Sequence, residues 1–176
     1  MIISKERGFT LVEVLVSSFV FSIIVLGVSG LFVQVIGNQR RAVAAQEIQE
    51  NGLFILELMS REIRVSQIVD SDQIPAGDSS NCTLTRLAIR HPVNGTVIYS
   101  IGNGLLLRTA SGTTTELSSS AISFSRLNFC LLGSGPTDQQ QTRVTILAAS
   151  QNKTGKEILT VNLQTTVSSR DVQTEI

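Results

Sequence analysis

The sequence predicts an α+β protein in which one long amino-terminal helix precedes an antiparallel β-sheet, and three observations support this. No charged side chain occurs from Val14 to Ile36 in the 176-residue chain. Residues 40–68 contain no proline and repeat apolar side chains at helical spacing. After residue 68 the chain is rich in Ser, Thr, Gln and Gly, and short apolar runs alternate with polar residues, which is typical of strands.

The apolar segment, residues 9–36, is long enough to cross a membrane. Because a helix rises 1.5 Å per residue, about 23 uncharged residues cover roughly 34 Å, slightly more than the hydrocarbon core. A secretory signal peptide does not fit, since its apolar region is shorter and ends at a small-x-small cleavage site. Lys5 and Arg7 precede the segment, and the positive-inside rule then keeps Met1 in the cytoplasm. We expect a single-pass protein of the inner (cytoplasmic) membrane whose carboxy-terminal part is exported.

The next part of the helix, residues 37–68, is predicted to be amphipathic. Its apolar side chains recur seven, four and four residues apart, on one helix face. They are Ile48, Ile55, Met59 and Ile63. Its acidic residues, which include Glu62, are balanced by nearby arginines. We expect one continuous helix from Phe9 to Ile68, whose outer half covers one face of the sheet in an exported head, residues 69–176.

Six segments of the head are predicted as strands. They are Thr83–Arg90, Thr96–Ile101, Leu105–Thr109, Ala121–Leu131, Thr142–Ala149 and Ile158–Val167. The Gly102–Gly104 tripeptide predicts a tight hairpin, because glycine and asparagine tolerate positive φ. Residues 152–156 predict a second hairpin. The apolar phase shifts at Arg126, so we expect a β-bulge there that keeps both apolar sets facing the core.

Glu13 is an acid one turn inside the apolar helix. A carboxylate at this position is unfavourable in a membrane unless a cation meets it. In the simplest alternative, Glu13 lies near the lipid headgroups, is favoured by the helix amino-terminal dipole and has no further role. The main functional question that the apolar segment raises is therefore which cation, if any, pairs with the Glu13 carboxylate.

The residues around Glu13 resemble a known signal. Lys5-Glu6-Arg7-Gly8 followed by Phe9-Thr10-Leu11-Val12-Glu13 is similar to the processing and assembly signal of type IV pilins and type II secretion pseudopilins. The resemblance rests on a basic leader that ends in glycine, an aromatic first mature residue, a Thr-Leu pair, an acid at the fifth mature position and a long apolar helix. It implies the pilin-like form of the α+β fold.

This resemblance implies a processing step and an assembly role. A prepilin peptidase would cut between Gly8 and Phe9, remove the leader (residues 1–8, with the leader charges Lys5 and Arg7) and methylate the new amino terminus at Phe9. The family role of the acid, which is to set the register between subunits, falls on Glu13. The resemblance also implies other pilins or pseudopilins and an inner-membrane assembly platform with its ATPase as partners.

Cys82 and Cys130 are the only cysteines, and both lie in the exported head. Two interpretations stay open: a disulfide, which an exported compartment favours, or two buried thiols in adjacent strands. Asp70, Asp72 and Asp78 bracket a loop, but their spacing is not that of an EF-hand. We therefore expect a solvated connector and no metal.

Other classes of function lack their usual residues. The formal net charge is zero, with 14 basic and 14 acidic side chains, so no nucleic-acid contact is predicted. His91 is the only histidine, and the chain has no Gly-x-Ser-x-Gly, phosphate-loop or Cys-x-x-Cys motif, so neither an enzyme nor a cofactor is expected.

The hypothesis from the sequence is a membrane-inserted minor pilin or pseudopilin that takes part in filament initiation or lies at the filament tip. Within the family, the Ser60–Arg64, Tyr99–Arg108 and Thr165–Arg170 segments resemble J-type minor pseudopilins and W-type minor pilins. The alternative is a permanently anchored exported β-domain that acts as a binding module and keeps its leader.

Overall fold

The computed structural model describes residues 8–69, 77–134, 140–153 and 158–170. They contain one α-helix, α1 (Leu11–Arg64), followed by β-strands only, so the predicted α+β class is confirmed. The chain divides into two compact units, Met1–Val43 and Ala44–Ile176. Helix α1 begins in the first unit and ends in the second.

The described part of the first unit, residues 8–43, consists mainly of the amino-terminal part of α1. Its large apolar side chains are exposed apart from the half-buried Ile36, and α1 contains a stretch that by length and composition could cross a membrane. Its serines are satisfied within the helix: the hydroxyls of Ser18, Ser22 and Ser29 each donate a hydrogen bond to the carbonyl four residues earlier, at 2.6 to 2.7 Å. Back-bonding of this kind lets a hydroxyl exist in apolar surroundings without an unsatisfied donor.

In the second unit, the predicted apolar face of α1 is confirmed. Ile48, Ile55, Met59 and Ile63 are at most 1% exposed and belong to the hydrophobic core. The predicted end at Ile68 is wrong, because α1 stops at Arg64 and the chain then forms a short strand.

The second unit contains two antiparallel sheets. The first has the order β1-β3-β4-β5-β6 and the second β2-β7-β8-β9. The strands are β1 (Gln67–Val69), β2 (Ser79–Leu84), β3 (Leu87–His91), β4 (Gly95–Gly102), β5 (Leu105–Ala110), β6 (Thr113–Glu116), β7 (Ile122–Leu132), β8 (Arg143–Asn152) and β9 (Thr160–Ser168).

The first hairpin is confirmed. Gly102 pairs with Leu105, and the two residues between them, Asn103 and Gly104, have φ values of 53° and 73°, as a type I′ turn requires. Of the second predicted hairpin, residues 152–156, positions 154–156 lie outside the described residues. The strands on either side of it, β8 and β9, pair antiparallel.

The predicted bulge is also confirmed, since the β7–β8 register shifts between Phe124 and Arg126. Phe124 before the shift and Leu127 after it are both buried. The single strand predicted over Thr83–Arg90 is wrong, because β2 ends at Leu84, β3 begins at Leu87, and the two belong to different sheets. Strands β1 and β6 were not predicted.

Candidate functional site

The residues that precede α1 form an exposed, non-helical segment. Gly8, Phe9 and Thr10 are outside the helix and exposed, and the Phe9 side chain is 80% exposed. A Cβ added to Gly8 would have nothing within 4 Å, so packing within the described chain does not require glycine there. Lys5 and Arg7 lie outside the described residues.

Thr10 caps the amino terminus of α1. The Glu13 backbone N–H donates to the Thr10 carbonyl oxygen at 3.1 Å and to Thr10 Oγ1 at 3.3 Å. Val14 N–H also donates to the Thr10 carbonyl, at 3.2 Å. These bonds satisfy amides that the first helical turn would otherwise leave free. The sequence Thr10-Leu11-Val12-Glu13 therefore starts the helix with a threonine cap, a role that the sequence analysis did not assign.

The carboxylate of Glu13 takes no part in this cap. It is exposed in the first turn of α1, and it makes no hydrogen bond or ion pair with any residue that the structure describes. Its neighbours are apolar and exposed, with Leu11, Val12 and Val14 between 56% and 80% accessible. The helix dipole favours an anion here but supplies no counter-charge. Glu13 thus presents an unpaired acid at the start of an apolar helix.

Cys82 on β2 and Cys130 on β7 form a disulfide in the structure, with their Cα atoms 4.1 Å apart. The two strands are neighbours in the second sheet. Cys130 is buried and Cys82 half-buried. The bond ties an outer strand of this sheet to the strand beside it.

A cluster of three polar side chains, which the sequence analysis missed, lies between the end of α1 and the first sheet. Arg108 on β5 donates from Nη2 to Glu62 Oε1 at 2.6 Å and from Nε to Glu62 Oε2 at 3.1 Å. The Tyr99 hydroxyl on β4 donates to the same Glu62 Oε2. Glu62 therefore pairs across the fold and not with an arginine of its own helix.

The ionisation of each group in this cluster follows from its neighbours. Burial raises the pKa of the Glu62 carboxyl, but hydrogen bonds from Arg108 and Tyr99 outweigh burial and hold this pKa below its usual range. Burial and the hydrogen bond to the Glu62 carboxylate raise the pKa of the Tyr99 phenol. The hydrogen bond to Glu62 raises the pKa of the Arg108 guanidinium. The cluster is an ion pair with a neutral tyrosine, suited to fixing a structure.

The remaining candidate residues have local structural roles. Asp78 accepts hydrogen bonds from Ser134 N–H at 2.9 Å and Ser134 Oγ at 3.3 Å. Asp70 and Asp72 lie outside the described residues, and the described residues hold no group of three or more side chains that could bind a metal. His91 Nδ1 accepts the backbone N–H groups of Val93 and Asn94, both at 3.2 Å, within the turn between β3 and β4.

Comparison with known proteins adds one match. Residues 3–29 match the prokaryotic N-terminal methylation motif, whereas no curated protein and no solved structure matches the chain. The motif is the prepilin-type signal of type IV pilins and pseudopilins, and the matched residues include Gly8, Phe9 and Glu13. The signal supports a structural pilin or pseudopilin, assembled with other pilins and processed by a prepilin peptidase. Together with the apolar helix, it fits single-pass anchoring with an exported head.

Proposed function

We propose that this chain, whose residues 3–29 carry the prepilin-type signal, is a minor subunit of a type IV pilus or a type II secretion pseudopilus. It takes part in filament initiation or lies at the filament tip. The observation that carries the proposal is a Glu13 carboxylate that has no partner among the described residues and lies within that signal, on a helix whose amino-terminal apolar side chains are exposed.

The first step of the proposal is cleavage between Gly8 and Phe9. A protease needs an accessible, non-helical bond, and both residues lie before the helix and are exposed. Because glycine is not required there by packing within the described chain, the need for Gly8 lies in recognition by the peptidase. Cleavage would remove the leader and leave Phe9 as the methylated amino terminus.

Cleavage also creates the cation that Glu13 lacks. An α-amino group has an ordinary pKa of about 7.7 to 8.0, so the new terminus at Phe9 is largely protonated at neutral pH. In an apolar filament core an unpaired charge of either sign is strongly disfavoured. The terminal amine of one subunit and the Glu13 carboxylate of the next can therefore be buried there only as a pair. Glu13 would thus set the axial register between neighbouring subunits.

Exposed apolar side chains supply the packing surface. Lipid covers such side chains before assembly, and the helices of neighbouring subunits would cover them afterwards. Because lipid is as apolar as the helix, the apolar residues alone do not favour assembly over the membrane-inserted state. The charge pair at Glu13 and the cellular machinery therefore have to provide the preference.

Energy for assembly must come from partners. The chain contains no phosphate-binding loop, so ATP hydrolysis belongs to an inner-membrane platform with its ATPase.

The assignment as a minor subunit is supported by the resemblance of three segments to J-type and W-type minor subunits. They are Ser60–Arg64, Tyr99–Arg108 and Thr165–Arg170. Purified filaments would then contain far fewer copies of this chain than of the main subunit, and its deletion would reduce the number of filaments.

The decisive experiment is mass spectrometry of the native protein from membranes and sheared filaments. We expect a chain that begins at N-methylated Phe9. The control is Gly8→Val, which should keep the leader and stay out of filaments. A wild-type chain that retains residues 1–8 would refute the proposal and favour a permanently anchored β-domain that binds a ligand.

A further inference from the structure

The net charge of zero conceals an uneven distribution of charge along the chain. Residues 117–170, which contain β7, β8 and β9, hold five basic and two acidic side chains, whereas the other residues hold nine basic and twelve acidic ones. The two acids, Asp138 and Glu157, lie outside the described residues. The four strands of the second sheet contain no Asp or Glu, and their charged side chains are Arg126 and Arg143. A surface that carries cations without carboxylates attracts anions.

The outer face of the second sheet is the face that points away from the hydrophobic core. Alternation along β8 and β9 defines it, and two cross-strand contacts support the assignment. The Thr145 and Thr166 hydroxyl oxygens are 2.9 Å apart, and Arg126 Nη2 donates to Asn162 Oδ1 at 3.4 Å. The polar residues of the outer face are Arg126, Asn128, Arg143, Thr145, Gln151, Thr160, Asn162, Gln164, Thr166 and Ser168.

Three arginines lie along this outer face. Arg126 pairs with Ala149, and Arg143 lies six residues before Ala149 on β8, so the two arginines are about 20 Å apart along the strands. Arg143 pairs with Ser168, and Arg170 follows Ser168 by two residues, which extends the line by about 7 Å. All three arginines are exposed. The guanidinium groups of Arg143 and Arg170 have no hydrogen bond or ion pair with any described residue.

The uncharged side chains between the arginines indicate the kind of anion. The amides of Asn128 and Gln164 have no hydrogen-bond partner among the described residues, and an amide can both donate and accept. Sugar hydroxyls also donate and accept, whereas the phosphates of a nucleic acid only accept. Base stacking has no platform here, because Phe124 and Phe129, the aromatic residues of this sheet, are buried. The outer face therefore suits an acidic polysaccharide better than a nucleic acid.

The outer face is also poorly suited to a protein partner. Protein interfaces depend on a few apolar or aromatic anchors that become buried. The large apolar side chains on this face are Leu132, which is 44% exposed at the end of β7, and the half-buried Leu147. Leu147 lies between Asn128 and Gln164, so the two leucines do not form a continuous apolar patch.

We propose that the outer face of the second sheet binds a strand of carboxylated polysaccharide. The strand lies along β8 and β9, with its carboxylates at Arg126, Arg143 and Arg170 and its hydroxyls on the amides and hydroxyls between them. Because the arginines are exposed, salt screens each ion pair, and binding depends on several weak contacts along one strand. The proposed function does not use this face, so the two proposals can fail separately.

The first test is binding of the full chain, in a non-ionic detergent, to immobilised polygalacturonate and hyaluronate at about 50 mM salt. Neutral dextran should not bind. Arg126→Gln combined with Arg143→Gln should weaken binding to the two acidic polysaccharides at least about fivefold and reduce its salt dependence, because two ion pairs are lost.

The matched control for this test is Arg40→Gln combined with Arg61→Gln. It makes the same change in net charge, but on α1, which packs against the inner face of the sheet where Gly52 lies beside Leu163. Its affinity should stay within about twofold of wild type. Equal losses for the two double variants, or a wild-type chain that binds neither acidic polysaccharide, would overturn the inference.

A second test separates recognition of a sugar from attraction of any polyanion. Gln164→Ala removes an exposed amide without a change in charge. It should weaken binding to polygalacturonate at least about twofold, the effect of a modest hydrogen bond, and leave the salt dependence unchanged. Polyglutamate and duplex DNA, at the same concentration of charge, should bind less tightly than polygalacturonate. Circular dichroism checks folding. Equal or tighter binding of either, or wild-type affinity for Gln164→Ala, would contradict the inference.

Discussion

Arg108 binds the carboxylate of Glu62 with two nitrogen atoms, Nη2 at 2.6 Å and Nε at 3.1 Å. Their side chains are 19% and 16% exposed, so both charges are largely withdrawn from water. Glu62 lies in the last turn of α1 and Arg108 on β5, in the first sheet. The pair therefore fixes the end of the helix against that sheet, and the Tyr99 hydroxyl adds a third donor to the same carboxylate.

The first prediction concerns the energy of this pair. Glu62→Gln keeps the size of the side chain but leaves the Arg108 charge partly buried without a counter-charge. We expect a loss of about 2 kcal/mol in the free energy of unfolding, between the values typical of exposed and of fully buried pairs. The measurement is denaturant unfolding of the oxidised protein.

The matched control is Glu57→Gln on the same helix. Glu57 pairs with Arg61 at 2.9 Å, but their side chains are 58% and 76% exposed. Removing an exposed pair of this kind costs less than about 0.5 kcal/mol. Similar losses in unfolding free energy for Glu57→Gln and Glu62→Gln would mean that burial of the Glu62–Arg108 pair does not increase its contribution to stability.

The second prediction is the acid dependence of this stabilisation. The pKa of Glu62 is lowered in the folded protein, so its contribution is complete above the unfolded pKa of about 4.3 and is lost as pH falls through the folded pKa. The groups that act on it are Arg108, Tyr99 and His91. The difference in unfolding free energy between wild type and Glu62→Gln, measured from pH 7 to pH 3, should begin to shrink as pH falls below the unfolded pKa of about 4.3. A constant difference over that range would show that the Glu62 charge is not responsible.

The third prediction uses the fact that the chain has one tyrosine and no tryptophan. Tyrosinate absorbance therefore reports Tyr99 alone. Its pKa is raised by burial and by Glu62, so the folded protein should show no ionisation near pH 10, where denatured protein titrates. Because the pKa is raised in the folded protein, only the unfolded chain releases this proton near pH 10. The free energy of unfolding should therefore fall as pH rises above about 10. In Glu62→Gln the phenol should ionise at lower pH than in wild type.

Part of this cluster could have been predicted from the sequence. A two-residue hairpin loop at Asn103–Gly104 pairs Gly102 with Leu105, and counting outward from that pair puts Tyr99 opposite Arg108, as observed. The third member could not be predicted, because Glu62 is 46 residues from Arg108 and an arginine on the same helix was an equally good partner by charge alone. Tertiary packing decided between them.

The strands also divide into those that a local sequence pattern predicts and those that depend on tertiary packing. The bulge at Arg126 and the apolar face of α1 were predictable, because an element buried on one side has apolar residues at regular intervals in its sequence. Strand β6 has four exposed residues, so no alternation marks it. Strand β1 has only three residues and continues the apolar pattern of the helix, which is why the helix was predicted to reach Ile68. Of the amino-terminal site, Gly8, Phe9 and Glu13 are recognisable by motif, whereas no partner of the Glu13 carboxylate lies among the residues that the structure describes.

The fourth prediction is that the Cys82–Cys130 bond stabilises the head substantially. The bond closes a loop with a sequence separation of 48, for which chain entropy gives about 4 kcal/mol. Denaturant unfolding with and without reductant should show a loss of this order. Cys82→Ser combined with Cys130→Ser is the control, since its stability should equal that of reduced wild type and should not respond to reductant. An unchanged unfolding midpoint on reduction would contradict the assignment of this role.

The last prediction separates the two roles of the Thr10–Glu13 segment. Glu13→Leu removes the carboxylate but keeps the backbone N–H that bonds to Thr10, so the start of the helix and cleavage by the peptidase should be retained. Incorporation into filaments should fall at least about tenfold, because an unpaired terminal amine in an apolar core costs more than the 1.4 kcal/mol that a factor of ten represents. Ser18→Leu, an exposed polar-to-apolar change in the same helix, should assemble normally. The measurement is the amount of each chain in sheared filaments relative to membranes, and normal incorporation of processed Glu13→Leu would show that register does not depend on this charge.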